Sequence, residues 1–298
     1  MHNAMCTRHG LKQIPAVDSF DRIKPQMSVA MHLVAGWYYY YSLGFDSWLE
    51  KWPGSKQQQI RKSILEDLVC PGMVKVMVKV EGGHDRPTRP RAIQMYRNMA
   101  TQARFGPQCY AFQKAACKVL NRYMLTPLVE VTIASGMTAA DLATWMEDAC
   151  SCGPVWFYER DGKNWDSTMQ RVHSDFRVWC YARVDPSLAA FMAACVAVRG
   201  FGLSREGILA YRVIGTVKSG HNDTSIGNGL VNACIAAAVF IDLGLRVKII
   251  VAGDDLLVAV YADFCLSDVV QRESRFGIVP IARKFSSPFD VSFISGVW

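Results

Sequence analysis

No Cys-x-x-Cys pair occurs among the ten cysteines; Cys150 and Cys152 form only a lone C-x-C. Structural zinc modules draw on paired ligands, so the pattern argues against one. No signal peptide is visible, and the cysteines read as reduced, buried thiols of a cytosolic protein. Internal repeats and low-complexity tracts are missing as well. Charge is sparse, with 20% charged against 51% hydrophobic residues, which excludes a disordered chain. One stretch, Met27–Phe45, has no acid, lysine or arginine at all over 19 residues. That length could just span a bilayer. His32 and the run Tyr38-Tyr39-Tyr40-Tyr41 suit a lipid core poorly, which favours a buried or surface-packed segment.

What is present is 298 residues, enough for one large domain or two ordinary ones, with a net charge of +7. Residues 1–150 hold 18 basic against 12 acidic residues, and residues 151–298 hold 15 against 14. A basic first half beside a second half with clustered acids suits a polyanion guided to a metal site, although solubility alone could explain the excess.

The chain is organised around Val247–Val260. Two apolar, β-branched runs flank the polar turn Ala252-Gly253-Asp254-Asp255, which reads as a buried hairpin. Two adjacent carboxylates at its tip repel each other and are costly to desolvate. A divalent cation removes both costs, and oxygen-only ligands suit Mg²⁺ or Mn²⁺. Taken alone, the tripeptide is more often an ordinary turn, since turns favour these residues.

The remaining elements follow from periodicity and punctuation. Residues 1–26, with Pro15 and Pro25, form a lead-in arm. Ser55 is placed to cap a helix over Lys56–Leu68 with Ile60, Ile64, Leu65 and Leu68 on its apolar face. Met73–Val80 alternates as a strand. It leads into a proline-stiffened basic segment containing Arg86, Arg89, Arg91 and Arg97, which holds its arginines apart and suits presenting them to phosphates, a solvated loop being the equal alternative. Helices are expected over Gln108–Leu125 and Thr138–Cys150. Val155–Tyr158 is a short buried strand that runs into Asp161 and Asp166. Asp166 could serve merely as the N-cap of a helix over Ser167–Ala182, whereas Asp161 has no such structural role. Helix from Pro186 to about Val198, strand over Gly207–Val217, and a polar loop Lys218–Gly229 opening a long apolar helix to Leu243 come next. A helix over Ala262–Phe276, a strand carrying Arg283 and Lys284, and a hairpin over Phe289–Val297 complete the chain.

This order implies an α+β fold with an antiparallel sheet and helices on one face. If the strand ending at Asp161 neighbours the hairpin, Asp161, Asp254 and Asp255 converge. Three such carboxylates can hold two metal ions for an in-line phosphoryl displacement.

At this point the motifs resemble those of the RNA-dependent RNA polymerases of positive-strand RNA viruses. Asp161-x4-Asp166, Ser219-Gly220-x3-Thr224-x3-Asn228 and Gly253-Asp254-Asp255 stand in the order and spacing of the three palm motifs. Val78-Lys79-x-Glu81 and Pro90-Arg91-x-Ile93-Gln94 resemble the basic fingers motif in its tombusvirus-like form. The resemblance covers about residue 50 to the end.

It implies a right-hand palm plus fingers, divided as an unassigned arm at 1–50, fingers at 51–152, and palm at 153–298 with a fingers insertion at about 183–218. It implies Asp161, Asp254 and Asp255 as metal ligands with Mg²⁺, for which Mn²⁺ substitutes. Asp166 and Asn228 would read the ribose 2′-hydroxyl, with Ser219, Gly220 and Thr224 shaping the loop. Lys79 and Arg91 would grip the triphosphate; Arg86, Arg89 and Arg97 would bind RNA. Lys284 or its neighbour Arg283 would protonate pyrophosphate, Lys284 being the choice. Phe293–Gly296 would fall at the hairpin that grips the primer.

The implied partners are template and nascent RNA, nucleoside triphosphates, other viral or host replication factors, and a membrane reached through another segment. The implied setting is the host cytoplasm, in membrane-associated replication complexes. The family's thumb is expected to be absent or much reduced here. A reverse transcriptase is the competing enzyme, disfavoured by the Asp166/Asn228 pair and Gly253. A catalytically silent RNA-binding fragment is the competing binding module.

Overall fold

The computed structural model describes residues 5, 8, 13–79, 91–162, 164–204, 207–294 and 296–297. Its helices and strands, in chain order, are α1 (Lys24–Tyr41), α2 (Phe45–Leu49), α3 (Gly54–Glu66), β1 (Met73–Lys79) and β2 (Arg91–Tyr96). Then come α4 (Met99–Arg104), α5 (Gly106–Val119), β3 (Tyr123–Thr126), β4 (Val129–Ile133), α6 (Ala139–Ser151) and β5 (Trp156–Gly162). The middle of the chain supplies α7 (Trp165–Thr168), α8 (Arg171–Ala182), α9 (Pro186–Ala194), β6 (Ala197–Ser204), β7 (Gly207–Ile214) and α10 (Thr224–Asp242). The last part supplies β8 (Val247–Ala252), β9 (Asp255–Val260), α11 (Leu266–Ser274), β10 (Pro280–Phe285), β11 (Ser292–Phe293) and β12 (Gly296–Val297).

The fold is α+β, as expected, built on a six-stranded sheet ordered β10-β5-β9-β8-β4-β3. Most pairs are antiparallel, but β4 and β8 run parallel. The β8–β9 hairpin lies at its centre. Ile249, Val251, Leu256 and Val258 pack with Leu230, Ala233 and Ala237 of α10. Ile250, Leu257 and Ala259 pack with Trp145, Met146 and Ala149 of α6. Helices therefore cover both faces, where sequence alone suggested one. The two apolar runs lack strict alternation for this reason: a strand buried on both sides needs no polar face. The sheet also takes β3 and β4 from before residue 153, the expected boundary. A second sheet, β2-β1-β6-β7, joins strands far apart in sequence through the parallel pair β1–β6.

Several boundaries differ from the periodicity. The helix expected over Gln108–Leu125 ends at Val119, because Arg122 takes a left-handed turn (φ 57°) and the chain returns as β3. The α3 helix buries Ile60 and Ser63 only; Leu65 and Leu68 are exposed, and Ser55 makes no cap. Val155–Tyr158 grows into the seven-residue β5, so Asp161 lies within the strand. The helix expected from Ser167 is split in two. Asn164, at φ 52°, starts the short α7, with Asp166 in its first turn rather than capping α8. The Ala262–Phe276 helix shortens to α11, since residues before Leu266 are held by Lys284, whose Nζ donates to the Phe264 carbonyl at 2.6 Å. Thr138 caps α6 with a reciprocal Asp141 bond, as the Thr138–Cys150 reading implies.

Met27–Phe45 is mainly helix α1, surface-packed. Met27, Ala30, Met31, Val34 and Tyr38 are buried, while Tyr39 and Tyr40 face outward. Among the described residues, α10 is the one helix long and apolar enough to cross a membrane, and it is the buried core helix. The lead-in arm is pinned as well, with Phe20 stacked on Phe176.

His173 locks α8 to the chain after α11. Its Nδ1 accepts from the Gln170 N–H at 2.9 Å, so Nε2 donates to the Phe276 carbonyl at 2.8 Å. Burial lowers its pKa from 6.5 to about 4. The unfolded chain then binds the proton more readily, so stability is full above pH 6.5 and is lost as pH falls towards 4. We expect His173 to account for about 2 kcal/mol of lost stability between pH 7 and pH 5. Urea unfolding at both pH values, comparing wild type with His173→Gln, checks this; an unchanged pH dependence in the variant would contradict it.

Candidate active site

The β8–β9 hairpin closes more tightly than the sequence suggests. Ala252 pairs with Asp255, leaving Gly253 and Asp254 as the two turn residues. Gly253 sits at φ 64°, where glycine carries no steric cost. On the neighbouring strand Arg160 pairs with Leu256, which brings Asp161 and Asp255 to the same end of β5 and β9. Alternation puts Asp161, Glu159 and Asp255 on the α6 side of the sheet.

The electrostatics show the convergence. Desolvation is the main cause raising the Asp254 carboxyl, and the charges of Asp166 and Asp161 push it further up. Desolvation, then Asp254, Asp161 and Glu159, raise Asp255 to about 6. Asp161 is the carboxylate that both feel. Such a cluster is costly unless a cation joins it. Among the described residues, no three His, Cys, Asp or Glu side chains are already gathered at metal-binding distance. The donor chemistry nonetheless fits a hard divalent cation: Asp161, Asp254 and Asp255 offer oxygen only, and their mutual repulsion is what such an ion offsets.

Beside this cluster Asp166 is held at both oxygens. The Asn228 amide donates to Oδ1 at 3.1 Å, and the Ser219 hydroxyl donates to Oδ2 at 3.1 Å. Asn228 is 3% exposed, and its own Oδ1 has no hydrogen-bond partner among the described residues. Its amide nitrogen is committed to a carboxylate, so this oxygen is a buried acceptor awaiting a donor.

The loop before α10 is built around these contacts. The Asp166 carbonyl accepts from Val217 N–H at 3.0 Å. Gly220 N–H donates to the Gln94 carbonyl at 2.9 Å, and a Cβ at Gly220 would lie 2.9 Å from Met95, so only glycine allows this approach to β2. Thr224 Oγ1 donates to the Lys218 and His221 carbonyls at 2.7 and 3.0 Å, closing the loop. Beneath it, buried Asp223 is bound by Arg177, His221 and Tyr181 Oη. Despite burial, the Arg177 and His221 partners hold the Asp223 carboxyl well below its usual range.

Three residues that motif reading missed fix the turn itself. Asn232, one helical turn beyond Asn228, has its amide nitrogen 3.1, 2.9 and 3.2 Å from the carbonyls of Gly253, Asp254 and Asp255. Its Oδ1 accepts from Arg160 Nη2. Arg160 in turn donates to buried Glu273 of α11 at 3.1 Å, which also accepts from Tyr158 Oη at 2.7 Å. The available signal was an arginine inside an apolar strand and an asparagine inside an apolar helix.

Other expected residues lie apart. Lys284 pairs across from Tyr158, three positions along β5 from Asp161, and its ammonium is bound to Asp263 and the Phe264 carbonyl. The structure therefore does not bring it to the carboxylates. Arg283 pairs with Glu159 and shares the face of Asp161, but arginine stays protonated and is a poor proton donor. Phe293 is buried against the α6 side of the sheet, so it anchors its hairpin. Glu159 ties that hairpin to β5, accepting from Ser292 N–H at 3.0 Å. Arg97 is exposed, 6.0 Å from the Phe201 ring centre. Lys79 and Arg91 face each other in the β1–β2 register. Arg86 and Arg89 lie outside the described residues.

A carboxylate-tipped hairpin at the centre of this sheet, beside an acid-bearing strand and an Asn-bearing helix, defines a polymerase palm. Residues 161–272, just over a third of the chain, match the family model for viral RNA dependent RNA polymerase. That match begins at Asp161 and takes in Asp166, the Ser219–Asn228 loop, the hairpin and most of α11. It indicates an RNA-directed RNA polymerase, a nucleotidyltransferase, whose substrates are RNA and nucleotides. No curated protein matched the chain.

Removing the Asn232 amide frees three carbonyls and leaves Arg160 short of an acceptor. We expect Asn232→Ala to cost about 2–4 kcal/mol of stability. Nucleotide incorporation should fall at least tenfold under conditions where the variant is folded. Denaturant unfolding and single-nucleotide incorporation check the pair of effects. A folded variant with undiminished incorporation would show that the grip on the turn is dispensable.

Proposed function

We propose that the chain carries out RNA-templated transfer of nucleotides from nucleoside triphosphates to an RNA 3′-hydroxyl, with Mg²⁺ or Mn²⁺, for replication and transcription of a positive-strand RNA genome. The observation that carries this reading is the pair Asp166–Asn228 beside the Asp161/Asp254/Asp255 cluster. A ribose-reading pair next to metal-binding carboxylates is what selective ribonucleotide transfer requires.

Asp161 and Asp254, with Asp255 beside them, would hold the cations. When bound, these supply activation of the 3′-hydroxyl and neutralisation of the leaving pyrophosphate, the two-metal arrangement for in-line displacement. The protein's own contribution is selection and placement. The buried Asn228 Oδ1 accepts the ribose 2′-hydroxyl, and Asp166 orients the Asn228 amide. A deoxynucleotide leaves that acceptor unsatisfied, which costs about 1–3 kcal/mol. Ser219 and Gly220 hold the loop against Asp166 and β2, so the nucleotide meets a fixed wall. The sheet β2-β1-β6-β7 serves as fingers, with Lys79 and Arg91 directed to the triphosphate and Arg86, Arg89 and Arg97 to RNA. The six-stranded sheet with α6 and α10 serves as palm. The Lys79–Gln94 segment favours the tombusvirus-like group, and the natural setting of such an enzyme is a membrane-associated replication complex in host cytoplasm.

Primer extension on an RNA template tests this reading. Wild type should incorporate ribonucleotides only with Mg²⁺ or Mn²⁺. Asp254→Ala should abolish incorporation while leaving RNA affinity within about threefold, because phosphate contacts to basic residues carry binding. RNA binding without incorporation by wild type would instead favour a silent RNA-binding protein. Asn228→Ala should lower the ratio of ribonucleotide to deoxyribonucleotide incorporation by about tenfold or more. An unchanged ratio would remove Asn228 from ribose selection.

A further inference from the structure

Arg8 lies far from every motif in sequence, yet it enters the site. Its side chain is 10% exposed. Nη1 donates to the Ala92 carbonyl at 2.7 Å and to Ser219 Oγ at 3.0 Å. Nη2 donates to the Val217 carbonyl at 2.8 Å and reaches Asp166 Oδ2 at 3.4 Å. One guanidinium thus joins β2, the loop before α10 and the acid of α7. These are the three surfaces that converge on the ribose-reading pair.

The chemistry suits a fixed clamp. Guanidinium is planar, always charged, and presents a rigid fork of donors, so four acceptors set at different angles can be held at once. Two of those acceptors are carbonyls of different backbone segments, and holding them fixes the gap between β2 and the loop. The other two belong to the network that aims Asn228. Ser219 Oγ accepts from Arg8, which leaves its hydroxyl proton for Asp166 Oδ2. With Oδ2 occupied by Ser219 and Arg8, Oδ1 is left to the Asn228 amide, which fixes the direction of the buried Asn228 Oδ1 acceptor. Without Arg8, Asp166 keeps its Asn228 and Ser219 contacts but loses its cation, and Ser219 loses the donor that fixes its hydroxyl.

We propose that Arg8 is a positioning residue for ribose selection: its guanidinium completes the nucleotide site by holding Asp166 and Ser219 in the arrangement that makes Asn228 read the 2′-hydroxyl. This rests on the polymerase reading above. It assigns a role to a part of the chain that carries no motif.

The test is single-nucleotide incorporation by the full chain, with each ribonucleotide and its deoxy counterpart, for wild type, Arg8→Ala and Arg8→Lys. In Arg8→Ala, kcat/KM for the ribonucleotide should fall about 10- to 100-fold and that for the deoxynucleotide by less than threefold, so that discrimination narrows at least about threefold. Arg8→Lys keeps the charge but not the fork, and its discrimination should fall between wild type and Arg8→Ala. It also serves as the reporter if Arg8→Ala does not fold. Equal losses for both nucleotides would show a merely structural role and overturn the inference. A lower KM for the ribonucleotide in Arg8→Ala would show that Arg8 blocks the site, which also overturns it. Wild type that discriminates, with variants that discriminate equally well, would sink the inference and leave the polymerase reading intact. Wild type that incorporates neither nucleotide would remove both.

Discussion

The site depends on the grip of one buried amide on one turn. Asn232 reaches from the core helix to the carbonyls of Gly253, Asp254 and Asp255. Those carbonyls belong to the residues whose side chains repel each other. A two-residue turn carrying two adjacent carboxylates at the rim of a dry core has every electrostatic reason to splay. Gly253 and Asp254 lie beyond the last strand pair, Ala252–Asp255, and the amide offers its two N–H donors to this cluster of carbonyls. Arg160 and Glu273 then hold the amide, and Tyr158 holds Glu273. The anchor is charged, buried and shared by β5, α10 and α11. The network therefore ties these three elements together behind the turn.

The same logic recurs on the other side of the site. Asp166 is held by Asn228 and Ser219, and the loop that carries Ser219 is seated on the Arg177–Asp223–His221 cluster. Asp166 and the turn that carries Asp254 and Asp255 are thus backed by buried polar networks rather than by apolar packing alone. Such networks are worth little net stability, because desolvation offsets much of their attraction. Their value lies in direction. Apolar contacts are tolerant of rotation, whereas a carboxylate bonded at both oxygens has one orientation. The Asn228 Oδ1, buried and unmatched among the described residues, is the acceptor that this framework aims.

Much of this was legible before any coordinates. The hairpin, the acids at 161 and 166, and the Ser219–Asn228 loop were located by motif spacing, and all lie at one end of the molecule. Errors clustered where tertiary contacts overrule periodicity. The stripe of Ile64, Leu65 and Leu68 has a helical period, yet Leu65 and Leu68 stand exposed and the helix ends at Glu66. Residues 120–125 continue a helical pattern, but Pro127 and a left-handed Arg122 turn them into a strand that completes the central sheet. Lys284 stands next to Arg283 in sequence, and strand alternation sends the two to opposite faces. An adjacent pair cannot be told apart without knowing which face bears the acid.

What the sequence by itself determined was the chemistry: the types of side chain, their order, and the local elements that carry them. Period, turn residues and the cost of burying like charges are properties of neighbouring residues, so they can be read along the chain. What only the tertiary structure decided was which distant groups serve those residues. Asn232 on the turn, Glu273 behind Arg160, and Arg8 against Asp166 are contacts across 21 to 158 positions. No spacing rule encodes them, because a hydrogen bond between distant segments depends on how the sheet and helices bring their backbones together.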